Sequence, residues 1–293
     1  MARALITLTP TQSKKLMAMA ILKMDIVKNA LKDGMLVLHP SSSTYFIIKE
    51  ALGIEPPTNF WVSGIIVEKG LCVEIGSLLP SKFSSKDTST FRTKDPGEFD
   101  RTWLIKGGKL EIGMKLKSIL EMMNEKCVYI KGVNALDPQG KVGVLIGNVA
   151  GWGTIGLVNE WMKKNHFKVI YIAGFEKLIP TSLEEAAKIA KERDYLYCMG
   201  LPCRLFICEG GEVLTETKAI EILSKCKATV ISAGGLSGAE GSVVMVIEGD
   251  EESLKNAMKY IKRAKDANLP QVRTFYCSDC PHPNCSGIKM PED

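Results

Sequence analysis

The chain has no apolar run approaching the roughly 20 residues that a membrane-spanning helix needs, so no membrane partner is expected and the protein should be soluble. It also lacks blocks of like charge. Its 38 basic and 33 acidic side chains are interspersed, the net charge is only +5, and no basic cluster carries stacking aromatics, which argues against a nucleic-acid partner. A secretory leader is not expected either. The apolar stretch from Leu16 to Met24 is interrupted by Lys23, flanked by Lys14 and Lys15, and followed by no small-residue cleavage pattern. Leu16, Met17, Ala20, Ile21 and Met24 recur at helical spacing, so an amphipathic first helix within 11–33 is expected instead. Nine cysteines in a chain without secretory features point to a reducing cytoplasm, where clustered thiols read as metal ligands or reactive groups before disulfides.

What is present is an ordinary globular composition, 45% hydrophobic and 24% charged over 293 residues, enough for one large or two ordinary domains. Short apolar strand candidates at 35–38, 60–67, 71–75, 127–130, 142–146 and 169–173 alternate with helical patterns at 45–52, 115–124 and 157–164. Residues 80–108, rich in Ser, Thr, Lys and Asp, read as a long loop. This alternation predicts an α/β domain over 1–200 with a layered, mostly parallel sheet. From 201 to 276 the candidates run Leu205–Cys208, helix 215–225, Thr229–Ser232, Ser242–Ile247, helix 251–264 and Val272–Tyr276. That β-α-β-β-α-β order predicts a second, smaller α+β domain of ferredoxin-like type, followed by a cysteine-rich tail over 277–293. The open sheet of such a domain suits pairing with another copy, so a homo-oligomer is expected.

Three loops follow apolar strands and could share one rim of the sheet. After strand 35–38 comes His39-Pro40 and then four hydroxyls, Ser41, Ser42, Ser43 and Thr44, which can cap the next helix or hold an anion on its free N–H groups. A second loop contains Asn134 and Asp137. The third lies in a stretch with seven glycines over residues 131–156 and includes Gly147, Asn148, Gly151, Trp152, Gly153, Thr154 and Gly156 before a helix. Gly151-x-Gly153-x-x-Gly156 has the spacing of a phosphate loop but lacks a later acidic residue in place, so a ligand loop and plain close packing both stay open. The hairpin connection at 233–241 is longer and richer in glycine than a turn needs, and could also face a ligand.

Metal chemistry is suggested by Cys277-x2-Cys280-x-His282-x2-Cys285, three thiols and an imidazole in nine residues. Four N/S ligands suit tetrahedral zinc, and the C-x2-C-x4-C spacing equally suits an iron–sulfur cluster completed elsewhere. Cys198 or Cys203 could join that tail. Cys72, Cys127, Cys208 and Cys226 sit in apolar contexts and read as small core residues. His39 and His166 read as structural; only His282 has ligand-rich neighbours.

The strand and hydroxyl loop at 35–44, the Lys131–Gly140 segment leading to Gly147, and Val169–Pro180 together resemble the CoA-transferase and ribose-phosphate-isomerase-like superfamily, nearest to its lactate-utilisation branch, over about residues 30–210. The resemblance implies a small anionic ligand, bearing phosphate or carboxylate, held by Ser41, Ser42, Ser43, Thr44, Asn134, Asp137 and Gly147. It also exposes departures. Asn134 stands where isomerases of this type carry an acid, and the transferases' nucleophilic glutamate has no clear counterpart, Glu209 being suggested only by its strand-glycine context. Asp137, Glu209 and Glu240 are the carboxylate candidates, and none is singled out as catalytic. Two classes therefore stay open beside a purely structural oligomerisation module: a CoA-transferase- or isomerase-like enzyme, and a metal- or cluster-carrying redox or regulatory protein.

Overall fold

The computed structural model of the chain describes residues 1–56, 61–62, 64–72, 102–147, 151–274, 276–280, 285 and 287–291. In chain order the elements are β1 (Ala2–Leu8), α1 (Pro10–Ile21), α2 (Asp25–Asp33), β2 (Leu36–Leu38), α3 (Ser42–Leu52), β3 (Ile66–Val67), β4 (Gly70–Leu71), β5 (Trp103–Lys106) and β6 (Lys109–Glu111). There follow α4 (Leu116–Met122), β7 (Val128–Gly132), β8 (Ala135–Leu136), β9 (Val142–Ile146), α5 (Gly153–Asn165), β10 (Lys168–Ile172), α6 (Leu183–Ile189), β11 (Cys198–Met199) and β12 (Arg204–Ile207). The chain closes with β13 (Glu212–Leu214), α7 (Glu216–Ser224), β14 (Lys227–Gly234), β15 (Ser242–Gly249), α8 (Glu251–Lys265) and β16 (Ile288–Lys289). No helix among the described residues is long and apolar enough to cross a membrane.

The fold is mixed α/β. Its central sheet has six strands in the order β13-β10-β7-β2-β5-β6. The first four run parallel, as the βα alternation predicts, while β5 pairs antiparallel with β2 and β6 antiparallel with β5. The sheet is therefore mixed, where a mostly parallel one was expected. The reason is local: Trp103, Leu104 and Ile105, in a stretch read as loop, form a buried strand, and Gly107-Gly108, both with positive φ, turn it back as a tight hairpin. Alternation along each parallel strand divides the interior. Leu36, Leu38, Val128, Ile130, Ile170, Ile172 and Leu214 enter the core shared with α1, α3, α7 and α8. Val37, Tyr129, Val169 and Tyr171 face the other way, toward α4, α5 and β9.

Two further expectations are corrected. The helical stretch 11–33 is two helices: Thr9 and Gln12 form a capping box that starts α1, and the chain turns at Leu22–Met24 before α2. The ferredoxin-like order after 201 does not pair as such. Leu205–Ile207 lies in β12, antiparallel to β9; β13 joins the central sheet; and β14 and β15 take as third strand β1 from the N-terminus, antiparallel to β15. No strand element forms at 272–274. The apolar alternation of β1, whose Ile6 and Leu8 are buried, explains its recruitment. Ala219, Ile220, Met245 and Ile261 consequently share one core with Leu16 and Phe46.

Candidate functional site

Parallel strands deliver the residues that follow them to one edge, and here four strands do so. After β2 comes the hydroxyl loop. Ser41 caps α3: its Oγ accepts from Thr44 N at 3.2 Å and meets Thr44 Oγ1 at 3.1 Å, while Thr44 Oγ1 donates to His39 O at 2.6 Å. Capping thus absorbs two of the four hydroxyls. Ser42 is half-buried, and Ser43, buried, turns its hydroxyl toward the end of β7. At Gly132, the last residue of β7, a Cβ would stand 3.1 Å from Ser43 Oγ and 3.2 Å from Ser41 Oγ, so the two loops approach closely only because that side chain is missing.

The turn after β10 adds charge. Lys177 Nζ donates to Ser43 Oγ and to Ile172 O, both at 3.4 Å. Glu176 folds back over Gly174, where a Cβ would lie 1.9 Å from its Oε2. Its Oε1 sits 3.8 Å from Lys14 Nζ of α1 and 3.9 Å from Lys177 Nζ, and neither carboxylate oxygen has a hydrogen-bond partner among the described residues. After β13, Glu216 begins α7 fully buried and accepts from Phe175 N through both oxygens, at 3.2 and 3.0 Å. The glycine-rich β14–β15 connection closes on this turn: a Cβ at Gly241 would stand 3.1 Å from Pro10 Cγ and 3.4 Å from Glu176 Cβ. From the other side Ile179 N donates to Leu136 O at 2.8 Å, tying the turn to β8.

Of the two lysines and two glutamates gathered in this mostly buried pocket, Glu216 and Lys177 are shifted from their ordinary values. Burial, reinforced by the neighbouring Glu176, pushes the Glu216 carboxyl up from 4.5 to about 7. Burial pulls the Lys177 ammonium down to about 8, against the opposing pull of Glu176. With Glu216 protonated, Lys14, Lys177 and Glu176 leave one net positive charge beside Ser43. The raised carboxyl has a signed consequence. Below pH 4.5 folded and unfolded chains both hold the proton and nothing is lost; from 4.5 to about 7 only the unfolded chain ionises, so stability falls as pH rises through that window. Glu216→Gln is expected to match the wild type at pH 4 and to exceed it by on the order of 2–3 kcal/mol at pH 8 in urea unfolding. A variant less stable at pH 8 would show instead that Glu216 is ionised and well paired.

The other residues expected from sequence are committed elsewhere. Asn134 Oδ1 accepts from Leu145 N at 3.0 Å, and buried Asp137 accepts from Gln139 N and Lys141 N through Oδ1 and from Leu183 N through Oδ2. Both shape the β8–β9 turn that braces the site. Gly147 packs on Leu201, whose Cδ2 would lie 2.2 Å from an added Cβ, and its carbonyl accepts from Arg193 Nη2 at 2.8 Å. Gly151 accepts from Arg204 Nη2 at 2.6 Å, Gly153 and Thr154 open α5, and Arg204 stacks on Trp152 at 4.5 Å; Asn148 lies outside the described residues. Glu209 is an exposed partner of Lys163, and Glu240 accepts from Gly238 N. His39 meets Tyr129 Oη at 3.1 Å, and His166 is the left-handed C-cap of α5. An open groove of about 360 Å³ beside α7 and β14 is lined by Lys218, Glu221, Lys225 and Lys227, and its Lys218–Glu221 pair is solvent-exposed.

Sequence reading missed Lys14, Glu176, Lys177 and Glu216. Glu176 and Lys177 stood in the segment after a strand, the one available signal, whereas Lys14 and Glu216 look like ordinary helix residues. In the tail, Cys277 is exposed and Cys280 and Cys285 are half-buried, while His282 lies outside the described residues. Among the described residues no three Cys, His, Asp or Glu side chains stand in metal-coordinating geometry. No protein-family model, curated protein or solved structure matches the chain.

Proposed function

We propose that the chain binds a small anionic ligand, carrying a phosphate or carboxylate, at the edge formed by the ends of β2, β7, β10 and β13, in the manner that its sequence resemblance to CoA-transferase- and isomerase-like proteins implies. The observation that carries the reading is the mostly buried Lys177 ammonium, shared between Ser43 Oγ and a backbone carbonyl and facing the Glu176 carboxylate at 3.9 Å. Lys177, Lys14 and the Ser43 hydroxyl supply the charge and donors an anion needs. Glu216 and Lys177, titrating at about 7 and about 8, can hold or release a proton near neutrality, which equips the site for proton transfer to a bound ligand.

Calorimetric titration with inorganic phosphate, acetate and coenzyme A tests the reading. At least one is expected to bind, and Ser43→Ala to weaken it about tenfold, the worth of one hydrogen bond to an anion. Absence of binding by all three at millimolar concentration, or full affinity in the serine variant, would sink it.

A further inference from the structure

The opposite face of the same parallel strands carries a polar row separate from the anion site. Leu38 pairs with Ile130 and Lys131 with Tyr171, so His39, Lys131 and Tyr171 follow one another across β2, β7 and β10 at their carboxyl ends. Side chains alternate along each strand, and Tyr129 and Tyr171 belong to the second core, so Lys131 and His39 turn that way as well. His39 Nδ1, 3.1 Å from Tyr129 Oη, agrees with this. Lys131 is 5% exposed and Tyr171 fully covered, while His39 is half-buried and brings the row to the surface. The β12–β13 turn closes over Tyr171: a Cβ at Gly211, whose φ is positive, would stand 2.7 Å from Tyr171 Cε2, and Cys208 of the same turn packs on this core. The polar atoms of the row are left unsatisfied. Tyr171 Oη is buried without a hydrogen bond of ordinary geometry among the described residues, the Cys208 thiol being its polar neighbour, and no described carboxylate pairs with Lys131.

We infer that Lys131 is the amine of a covalent carbonyl site, forming an imine with a small hydroxylated aldehyde or ketone while the Tyr171 hydroxyl relays its protons. A lysine buried to hold its charge needs a carboxylate beside it; this one has a phenol and a thiol instead. Burial pulls its ammonium down to about 8, the Cys208 thiol opposing, so roughly a tenth is free amine at pH 7, on the order of a hundredfold more than an ordinary lysine holds. Burial also keeps the Tyr171 phenol well above its ordinary range, so it retains its proton. The Lys131 nitrogen adds to the carbonyl carbon and the carbonyl oxygen is protonated; a C=N bond then replaces C=O, and both amine protons end on the departing water. Tyr171 passes them from nitrogen to oxygen, and no oxidant or reductant enters. At the half-buried end, His39 and Tyr129 Oη offer hydrogen bonds to a substrate hydroxyl. The row holds no Lys or Arg beside Lys131 to balance a phosphate or carboxylate, which selects a neutral carbonyl compound and sets this site apart from the anion site on the other face.

Reductive trapping reads the amine directly. The full chain is exposed briefly to glycolaldehyde and cyanoborohydride at pH 7, folded and in guanidinium chloride, and each labelled lysine is identified by peptide mass spectrometry. Lys131 is expected to label about tenfold faster, or more, in the folded chain than in the unfolded one, while the exposed Lys109 and Lys188 label alike in both. A lysine that is merely buried does the opposite, so slower labelling of Lys131 on folding, or none, overturns the site. Tyr171→Phe, which removes an unsatisfied hydroxyl and keeps the ring, is expected to stay folded and to cut Lys131 labelling about tenfold, with Lys109 and Lys188 unchanged. An undiminished rate at Lys131 would remove Tyr171 from the proton relay. Ser43→Ala is expected to leave Lys131 labelling unchanged; a matching loss there would show that the two faces form one site.

Discussion

Lys177→Met is expected to weaken phosphate binding by about tenfold to a hundredfold while the chain stays folded. The loss corresponds to one charge-assisted interaction in a largely buried site. Stability moves the other way. Burial holds the Lys177 ammonium at about 8 against an ordinary 10.5, so the folded chain loses stability as pH falls from 10.5 to about 8 and carries that cost at neutrality. Methionine removes the cost, and Lys14 remains 3.8 Å from Glu176, so the melting temperature at pH 7 is expected to be no lower than that of the wild type. The pH profile separates charge from shape. In the wild type anion affinity falls as pH rises, first near 7 as Glu216 gains its negative charge and again near 8 as Lys177 loses its positive one. The second step should vanish in Lys177→Met. Phosphate affinity that is unaffected by the substitution would remove Lys177 from the site.

Trp103→Ala is expected to cost about 3–5 kcal/mol in urea unfolding, the loss typical of emptying a large aromatic site in a packed core. Trp103 is fully buried on β5, opposite Leu38 of β2, and its ring lies 4.3 Å from that of Trp61, also fully buried. The position matters beyond stability, because β5 flanks β2 and the hydroxyl loop springs from the end of β2. Trp103→Phe, which keeps an aromatic, should lose less than half as much. A cost below 1 kcal/mol for the alanine variant would mean that the antiparallel hairpin contributes little to the core.

Much of the frame was legible in the residues. Short apolar runs at 36–38, 128–132, 142–146 and 168–172 are strands because β-branched and aliphatic side chains buried on both faces leave no polar alternation, and helices fill the gaps between them. Of the three loops expected on one rim, the hydroxyl loop with Ser41, Ser43 and Thr44 follows β2 and the Asn134 loop follows β7, whereas the glycine loop follows β9, a strand of a different sheet. What failed was pairing. Leu205–Ile207 and Ser242–Ile247 look alike as strands, yet one pairs with β9 and the other with β1, because partner choice depends on which buried faces fit together and not on the apolar pattern of either strand.

The sequence by itself determined most of the strands and helices around the central sheet, its parallel strands and the hydroxyl loop that follows β2, since each follows from local periodicity, capping and turn chemistry. The tertiary structure decided the mixed sheet, the recruitment of β1 to β15, and the company that Lys14, Glu176, Lys177 and Glu216 keep. The reason is burial: an acid or base on a helix is unremarkable in sequence, and becomes a functional candidate only when folding removes it from water beside another charge.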